Sequence, residues 1–153
     1  MALCGGGGRS SQFLWGKGLV VIVLMVLSGC GAGGGDDDGD DGGGGLQPTL
    51  PSIQTNIFGP ICALAGCHVG ASAQQGLMLD SADNSFQDLV GIASTEAPSL
   101  LRVNPRNPDT SYLVHKIEGR STIVGAQMPL NQPALSGPQV AAIRTWIQNG
   151  ANQ

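Results

Sequence analysis

The stretch that decides the fold spans residues 62–68 and reads Cys62-Ala63-Leu64-Ala65-Gly66-Cys67-His68. It contains both of the cysteines that follow residue 30, and a histidine comes directly after the second one. Thiolate and imidazole groups bind metal ions, and thiols also form covalent links. The stretch therefore predicts a chemical site that the rest of the chain surrounds.

Three kinds of site match this pattern. In covalent haem attachment, two cysteines add to the vinyl groups of the haem and the following histidine binds the iron. That motif usually has two residues between its cysteines, whereas four lie between Cys62 and Cys67. A disulfide between the two cysteines is the second interpretation, although so short a loop adds little stability. A tetrahedral metal site made of both cysteines, His68 and His115 is the third.

The N-terminal region predicts export and lipidation. Residues 19–27 form an apolar run preceded by the basic residues Arg9 and Lys17, and nine residues are too few for a membrane span, which needs roughly 20. Residues 27–30 resemble a bacterial lipobox, so we expect residues 1–29 to be a lipoprotein signal peptide and Cys30 to carry the lipid. An uncleaved anchor is the alternative. Either form leaves the rest of the chain outside the inner membrane.

Residues 30–45 consist of the lipobox cysteine, Cys30, followed by little except glycine and aspartate, which predicts a flexible tether. A calcium site on its clustered carboxylates is a weaker alternative, because glycines make such a loop costly to order. The folded domain is expected at residues 46–153. It has five basic and six acidic side chains, a net charge of -1, and this balance argues against a nucleic-acid partner.

The pattern of residues 46–153 predicts an all-α domain of short helices and long loops. We expect four helices, and each has start and stop signals. They are residues 51–58 with Ser52 as cap and Gly59-Pro60 as end, residues 85–91 with Ser85 as cap, a helix from Asn107 to Gly119, and a last helix from Ser136 to Gly150. Aromatic residues are few, so the core is thin, and a haem would fill the space that side chains leave.

Few residues of the folded domain could provide the second axial ligand of a haem iron. Met128 lies in a loop well separated from His68, and its thioether is a soft donor suited to both oxidation states of iron. Met78 is only ten residues beyond His68, too close to reach the opposite face of the haem easily. His115 is the runner-up, but it shares a helix with charged residues and is expected to be a solvated surface histidine.

Several motifs together resemble the small single-haem cytochrome c-like domains of bacterial envelope proteins. The resemblance covers about residues 52–151. It is carried by the Cys-x4-Cys-His stretch, the Asn-Pro-Asp-Thr-Ser-Tyr-Leu-Val-His-Lys-Ile segment from Asn107, Gln127-Met128-Pro129-Leu130 and the closing segment from Leu135 to Ala151. It implies one haem c bound covalently by Cys62 and Cys67, with His68 as proximal and Met128 as distal iron ligand. The extra residues between the cysteines are expected to bulge outward at Gly66.

These expectations favour a one-electron carrier rather than an enzyme. Two axial ligands leave the iron no open position for a substrate, and no nucleophile triad or phosphate loop is present in the sequence. The partners would be redox proteins of the bacterial cell envelope, with the lipid keeping the protein at a membrane that faces the periplasm or the exterior. Two other functions stay open: a haem-based ligand sensor, and a haem-free interaction module with a disulfide.

Overall fold

Helices and irregular loops make up residues 45–153, the part of the chain that the structure, a computed structural model, describes. These residues belong to one unit, Asp41–Gln153. The described part contains no β-sheet, only three isolated bridges, so the all-α prediction is confirmed there. No helix among residues 45–153 is long and apolar enough to cross a bilayer. The predicted signal peptide, the predicted lipidated Cys30 and the tether as far as residue 44 lie outside the described residues.

Four α-helices, one π-helical segment and three short 3₁₀ turns follow one another along this part of the chain. They are α1 (Leu50–Ile53), the π-helical segment (Gln54–Cys62), 3₁₀ turns at Gly70–Ser72 and Gln74–Gly76, α2 (Ala82–Leu89), a 3₁₀ turn at Pro108–Thr110, α3 (Tyr112–Glu118) and α4 (Gly137–Gln148).

The first helix is longer than the sequence predicts. It begins at Leu50 rather than at a Ser52 cap and runs through Gly59-Pro60 as far as Cys62, so both predicted ends are wrong. The extension is possible because this segment uses wider π-helical bonding, as in the 2.8 Å bond from Ala63 N–H to Phe58 O. A Cβ at position 59 would lie 3.0 Å from Gln54 O, which explains why a glycine lies there.

The second predicted helix is also shifted. It spans Ala82–Leu89, and the cap is Ser81, whose hydroxyl accepts from Asn84 N–H at 3.2 Å. Ser85, the predicted cap, is fully buried inside the helix. Its hydroxyl donates to Gln54 Oε1 at 2.7 Å, so a tertiary hydrogen bond rather than a capping role accounts for this serine.

The third predicted helix is divided in two at Ser111. A 3₁₀ turn, Pro108–Thr110, precedes an extended Ser111, and α3 begins only at Tyr112. Asn107 does not cap with its side chain, which donates instead to Pro105 O at 3.0 Å. The predicted end is confirmed, because Gly119 adopts the left-handed conformation with φ 66°.

The C-terminal helix α4 is confirmed with its predicted capping box, in which Ser136 and Gln139 bond reciprocally. The helix contributes Ile143, Trp146 and Ile147 to the core. The same cluster contains Leu50, Ile53, Ile57 and Phe58 from the first helix, Leu79, Leu89, Val103, Val114, Ile117 and Ala151. Because α4 packs on both α1 and α3, it fixes the elements that border the site described below.

An ion cluster on the surface joins α3, α4 and the 3₁₀ turn at Pro108–Thr110. Arg144 pairs with Asp109 at 2.8 Å and with Glu118 at 3.0 Å. Arg120 pairs with the same two carboxylates, at 2.9 and 2.8 Å. The hydrogen bonds from Arg144 and Arg120 lower the pKa of Asp109 from its ordinary value of 3.8. The ionised carboxylate is therefore stabilised in the folded state.

We expect Asp109→Asn to destabilise the protein in a pH-dependent way. The pKa of Asp109 is lower in the folded protein than in the unfolded chain, so the ionised carboxylate stabilises the fold above the unfolded-state pKa. This stabilisation is lost as the pH falls through the folded-state pKa. The difference in free energy of unfolding between wild type and variant should shrink from pH 7 to pH 3, measured by urea denaturation. Asp83→Asn is the control, since Asp83 has no ion pair among the described residues. If the difference in free energy of unfolding is the same at pH 7 and pH 3, the ionised Asp109 carboxylate does not stabilise the fold.

Candidate functional site

A cavity of about 380 Å³ lies next to the end of the first helix, within the size range of small-molecule sites. Leucine, isoleucine, proline and methionine side chains contribute much of its wall. The lining residues are Ile61, Cys62, Gly66, Cys67, His68, Gln74, Gln75, Leu77, Leu79, Leu89, Ser94, Thr95, Glu96, Arg102, four residues of α3 (Tyr112, Leu113, Lys116 and Ile117) and, from the loop after it, Met128, Pro129, Leu130, Gln132 and Leu135. The cavity thus brings together four of the predicted site residues, Cys62, Cys67, His68 and Met128.

Cys62 is the last residue of the π-helical segment and lies on the cavity wall. Burial, together with the nearby Cys67, raises the pKa of the Cys62 thiol to about 12. Both cysteines are half-buried free thiols, and no disulfide joins them. The first helix continues past Gly59-Pro60 and so places Cys62 on the cavity wall. The wrongly predicted helix end is therefore part of the site.

The four residues between the cysteines form a compact turn that bulges toward solvent. Leu64, Ala65 and Gly66 are exposed, and Gly66 has φ 79°, a conformation that glycine adopts without strain. Two backbone bonds close the turn: Cys67 N–H donates to Leu64 O at 2.9 Å, and His68 N–H donates to Cys62 O at 3.2 Å. The expected outward bulge is present, and both thiols remain on the cavity side.

His68 is fixed by two contacts with the segment that follows it. Its Nδ1 lies 3.1 Å from Leu77 O, and its carbonyl accepts from Leu79 N–H at 2.8 Å. A carbonyl can only accept, so Nδ1 carries the proton and the lone pair of the neutral ring is on Nε2. Burial lowers the pKa of His68, which favours the neutral ring. This is the form of histidine that binds metal ions.

Met128 lines the same cavity from the loop after α3 and is half-buried. Its N–H donates to Lys116 O at 2.9 Å, which ties this loop to α3. Met78, the methionine close to His68, is not part of the cavity wall.

His115 lies away from the cavity, and its predicted solvent exposure is wrong. The residue is only 8% exposed. Its Nε2 is 2.7 Å from Asp109 O, and its Nδ1 is 3.1 Å from Thr122 Oγ1. Among residues 45–153 no group of three or more histidine, cysteine, aspartate or glutamate side chains is arranged to hold a metal ion. The tetrahedral site with His115 is therefore not formed.

Arg102 is a buried cation that sequence analysis did not identify as part of the site. It is 8% exposed, and its guanidinium donates to Gln75 O at 2.6 Å, Asp88 O at 2.8 Å and Gly76 O at 3.4 Å. Gln75 has φ 59°, so the loop that carries Leu77 turns sharply here. Arg102 thereby fixes the segment whose Leu77 carbonyl orients His68.

A second buried cation, Lys116, lines the cavity from α3. Its Nζ lies 3.1 Å from Glu96 Oε2 and donates to Val124 O at 2.9 Å. Tyr112 OH also donates to Glu96 Oε2, at 2.9 Å. In the sequence, Tyr112 and Lys116 are four residues apart, a spacing that places them on the same, buried face of a helix. This spacing is the sequence signal that indicates the position of Lys116.

The donor set in this cavity fits a covalently attached haem. Two thiols and a neutral imidazole with its lone pair on Nε2 come from one stretch, and a thioether comes from a distant loop. The apolar side chains suit the ring, and the buried ammonium group of Lys116 suits its carboxylate edge.

Comparison with known proteins gives no independent guide to the site. No protein-family model, curated protein or solved structure matches the chain. The chemistry of the cavity is therefore inferred from its own residues.

We expect Arg102→Gln to destabilise the protein strongly, because three carbonyl groups would lose a charged donor. The expected loss in free energy of unfolding is about 2–4 kcal/mol, measured by urea denaturation. Arg106→Gln is the matched control, since Arg106 is exposed and no ion pair involves it in the described part of the chain. Equal effects of the two substitutions would show that Arg102 does not hold the loop.

Proposed function

We propose that residues 46–153 form a cytochrome c-like domain that binds one haem c covalently and carries single electrons. The observation that carries this proposal is the apolar cavity lined jointly by Cys62, Cys67, His68 and Met128. A disulfide or a structural metal would use the cysteines and His68, but neither would involve a methionine sixty residues further along the chain. A haem with two axial ligands accounts for all four residues.

In this proposal each of the four side chains has a separate role. Cys62 and Cys67 would hold the ring through thioether bonds, His68 would bind the iron through Nε2, and Met128 would bind it through sulfur. Haem, when bound, supplies a one-electron couple. Leu77 O would orient the His68 ring and increase its basicity through the bond to Nδ1. The apolar wall would keep water from the iron, and the Met128 thioether would favour the reduced state.

The proposed setting is the bacterial cell envelope. Cys30 would carry a lipid, and residues 30–45 would let the domain reach redox partners near the membrane, on the periplasmic or outer side. Contacts with such partners are typically small and short-lived. The protein would act as an electron carrier and not as an enzyme.

The first test is whether haem remains on the denatured polypeptide. We expect the chain purified from cells that attach haem covalently to keep its haem through a denaturing gel, detected by peroxidase staining. Cys62→Ser/Cys67→Ser should lose all of the stain, because no thioether can form. Haem that separates from the wild-type chain on denaturation, or that never appears, would contradict the proposal and leave the haem-free module.

The second test identifies the distal ligand. We expect Met128→Ala to change the low-spin spectrum and lower the reduction potential, since a methionine ligand raises it. Met78→Ala and His115→Ala are the controls and should leave the spectrum unchanged, because neither residue lines the cavity. A change in His115→Ala alone would show that Met128 is not the ligand. Tight carbon monoxide binding to the reduced wild type would favour the sensor instead.

A further inference from the structure

Lys116 is a charged residue in an unusual place, on the wall of an otherwise largely apolar cavity. Its side chain is 10% exposed, although lysine is almost never buried without a partner. A buried ammonium group is costly unless acceptors surround it. The acceptors near Lys116 therefore indicate what kind of ligand this part of the cavity suits.

The surroundings of the ammonium group provide one carboxylate and one carbonyl. Glu96 Oε2 is 3.1 Å from Nζ, and Val124 O is 2.9 Å from it. An ammonium group has three N–H donors, so two acceptors leave capacity for a third. Tyr112 OH is also close to this point, since it donates to Glu96 Oε2 at 2.9 Å. The arrangement already binds a carboxylate, that of Glu96.

Arg102 differs from Lys116 in this respect. Its guanidinium is directed to the backbone carbonyls of Gln75, Gly76 and Asp88, which it holds together. The partner of Lys116, in contrast, is a side-chain carboxylate, and the Glu96 side chain is 20% exposed to solvent. Lys116 is therefore the cation that can exchange one carboxylate for another.

We propose that Lys116, assisted by Tyr112, binds a propionate carboxylate of the haem, and that Glu96 takes this position when no propionate is present. The inference rests on the proposed function. Haem is an apolar ring with carboxylates on one edge, and this cavity combines apolar walls with a buried ammonium group. Glu96 and the propionate compete for the same cation, since two carboxylates side by side repel each other.

The test compares haem with its dimethyl ester, which has the same ring and no carboxylate charge. The full chain with Cys62→Ser/Cys67→Ser is the parent, so that both compounds bind without covalent attachment, and binding is followed by Soret absorbance. We expect the parent to prefer haem over the ester. Adding Lys116→Gln should weaken haem binding roughly tenfold or more and leave ester binding nearly unchanged. Lys116→Arg should retain most of the preference.

Two further variants complete the design. Glu96→Gln removes the competing carboxylate, so it should increase the preference for haem over the ester. Arg144→Gln, at the surface ion cluster, is the control and should not change the preference. If circular dichroism shows that Lys116→Gln does not fold, Glu96→Gln decides the question: an increased preference supports the inference, and an unchanged one overturns it.

The outcomes separate this inference from the proposed function. Equal affinity of the parent for haem and ester, or equal weakening of both by Lys116→Gln, overturns the role of Lys116 while the haem site itself stands. Failure of the parent to bind either compound, together with a wild-type chain that carries no covalent haem, overturns the proposed function.

Discussion

The contact on which the site most depends is the buried guanidinium of Arg102 with three backbone carbonyls. It joins the sharp turn at Gln75 and Gly76 to the end of α2 at Asp88. That turn leads directly to Leu77, whose carbonyl receives Nδ1–H of His68. Because a charged donor forms stronger bonds than a neutral one, a single side chain can fix a segment that has little secondary structure of its own. The orientation of His68 follows from it.

The cavity exists because the helices are short and do not close over one another. The core cluster packs the first helix against α3 and α4, while the cavity lies between the end of the first helix, the His68 segment, α3 and the Met128 loop. A small domain buries limited apolar surface and gains from a ligand that fills such a space. This is why we favour a prosthetic group over a disulfide module. In our proposal, the buried Lys116, which pairs with Glu96 at 3.1 Å, binds an anionic group of the ligand at one edge of the cavity.

Local signals in the sequence were most reliable where a helix end depends on nearby residues. The capping box at Ser136 and the helix end at Gly119 are confirmed, since each involves bonds within one turn. Predictions failed where a tertiary contact determined the outcome. Ser85 is buried against Gln54 instead of capping a helix. Gly59-Pro60 does not end the first helix, because π-helical bonding extends it to Cys62.

The sequence by itself determined the chemical groups of the site and the all-α class of residues 45–153, since composition and short spacings encode these features. Only the tertiary structure decided that Met128 lines the cavity with His68 and that His115 does not. Only it revealed that Arg102 and Lys116 are buried cations. The physical reason is distance along the chain: these contacts join segments whose mutual arrangement depends on packing of the whole core, which no local pattern specifies.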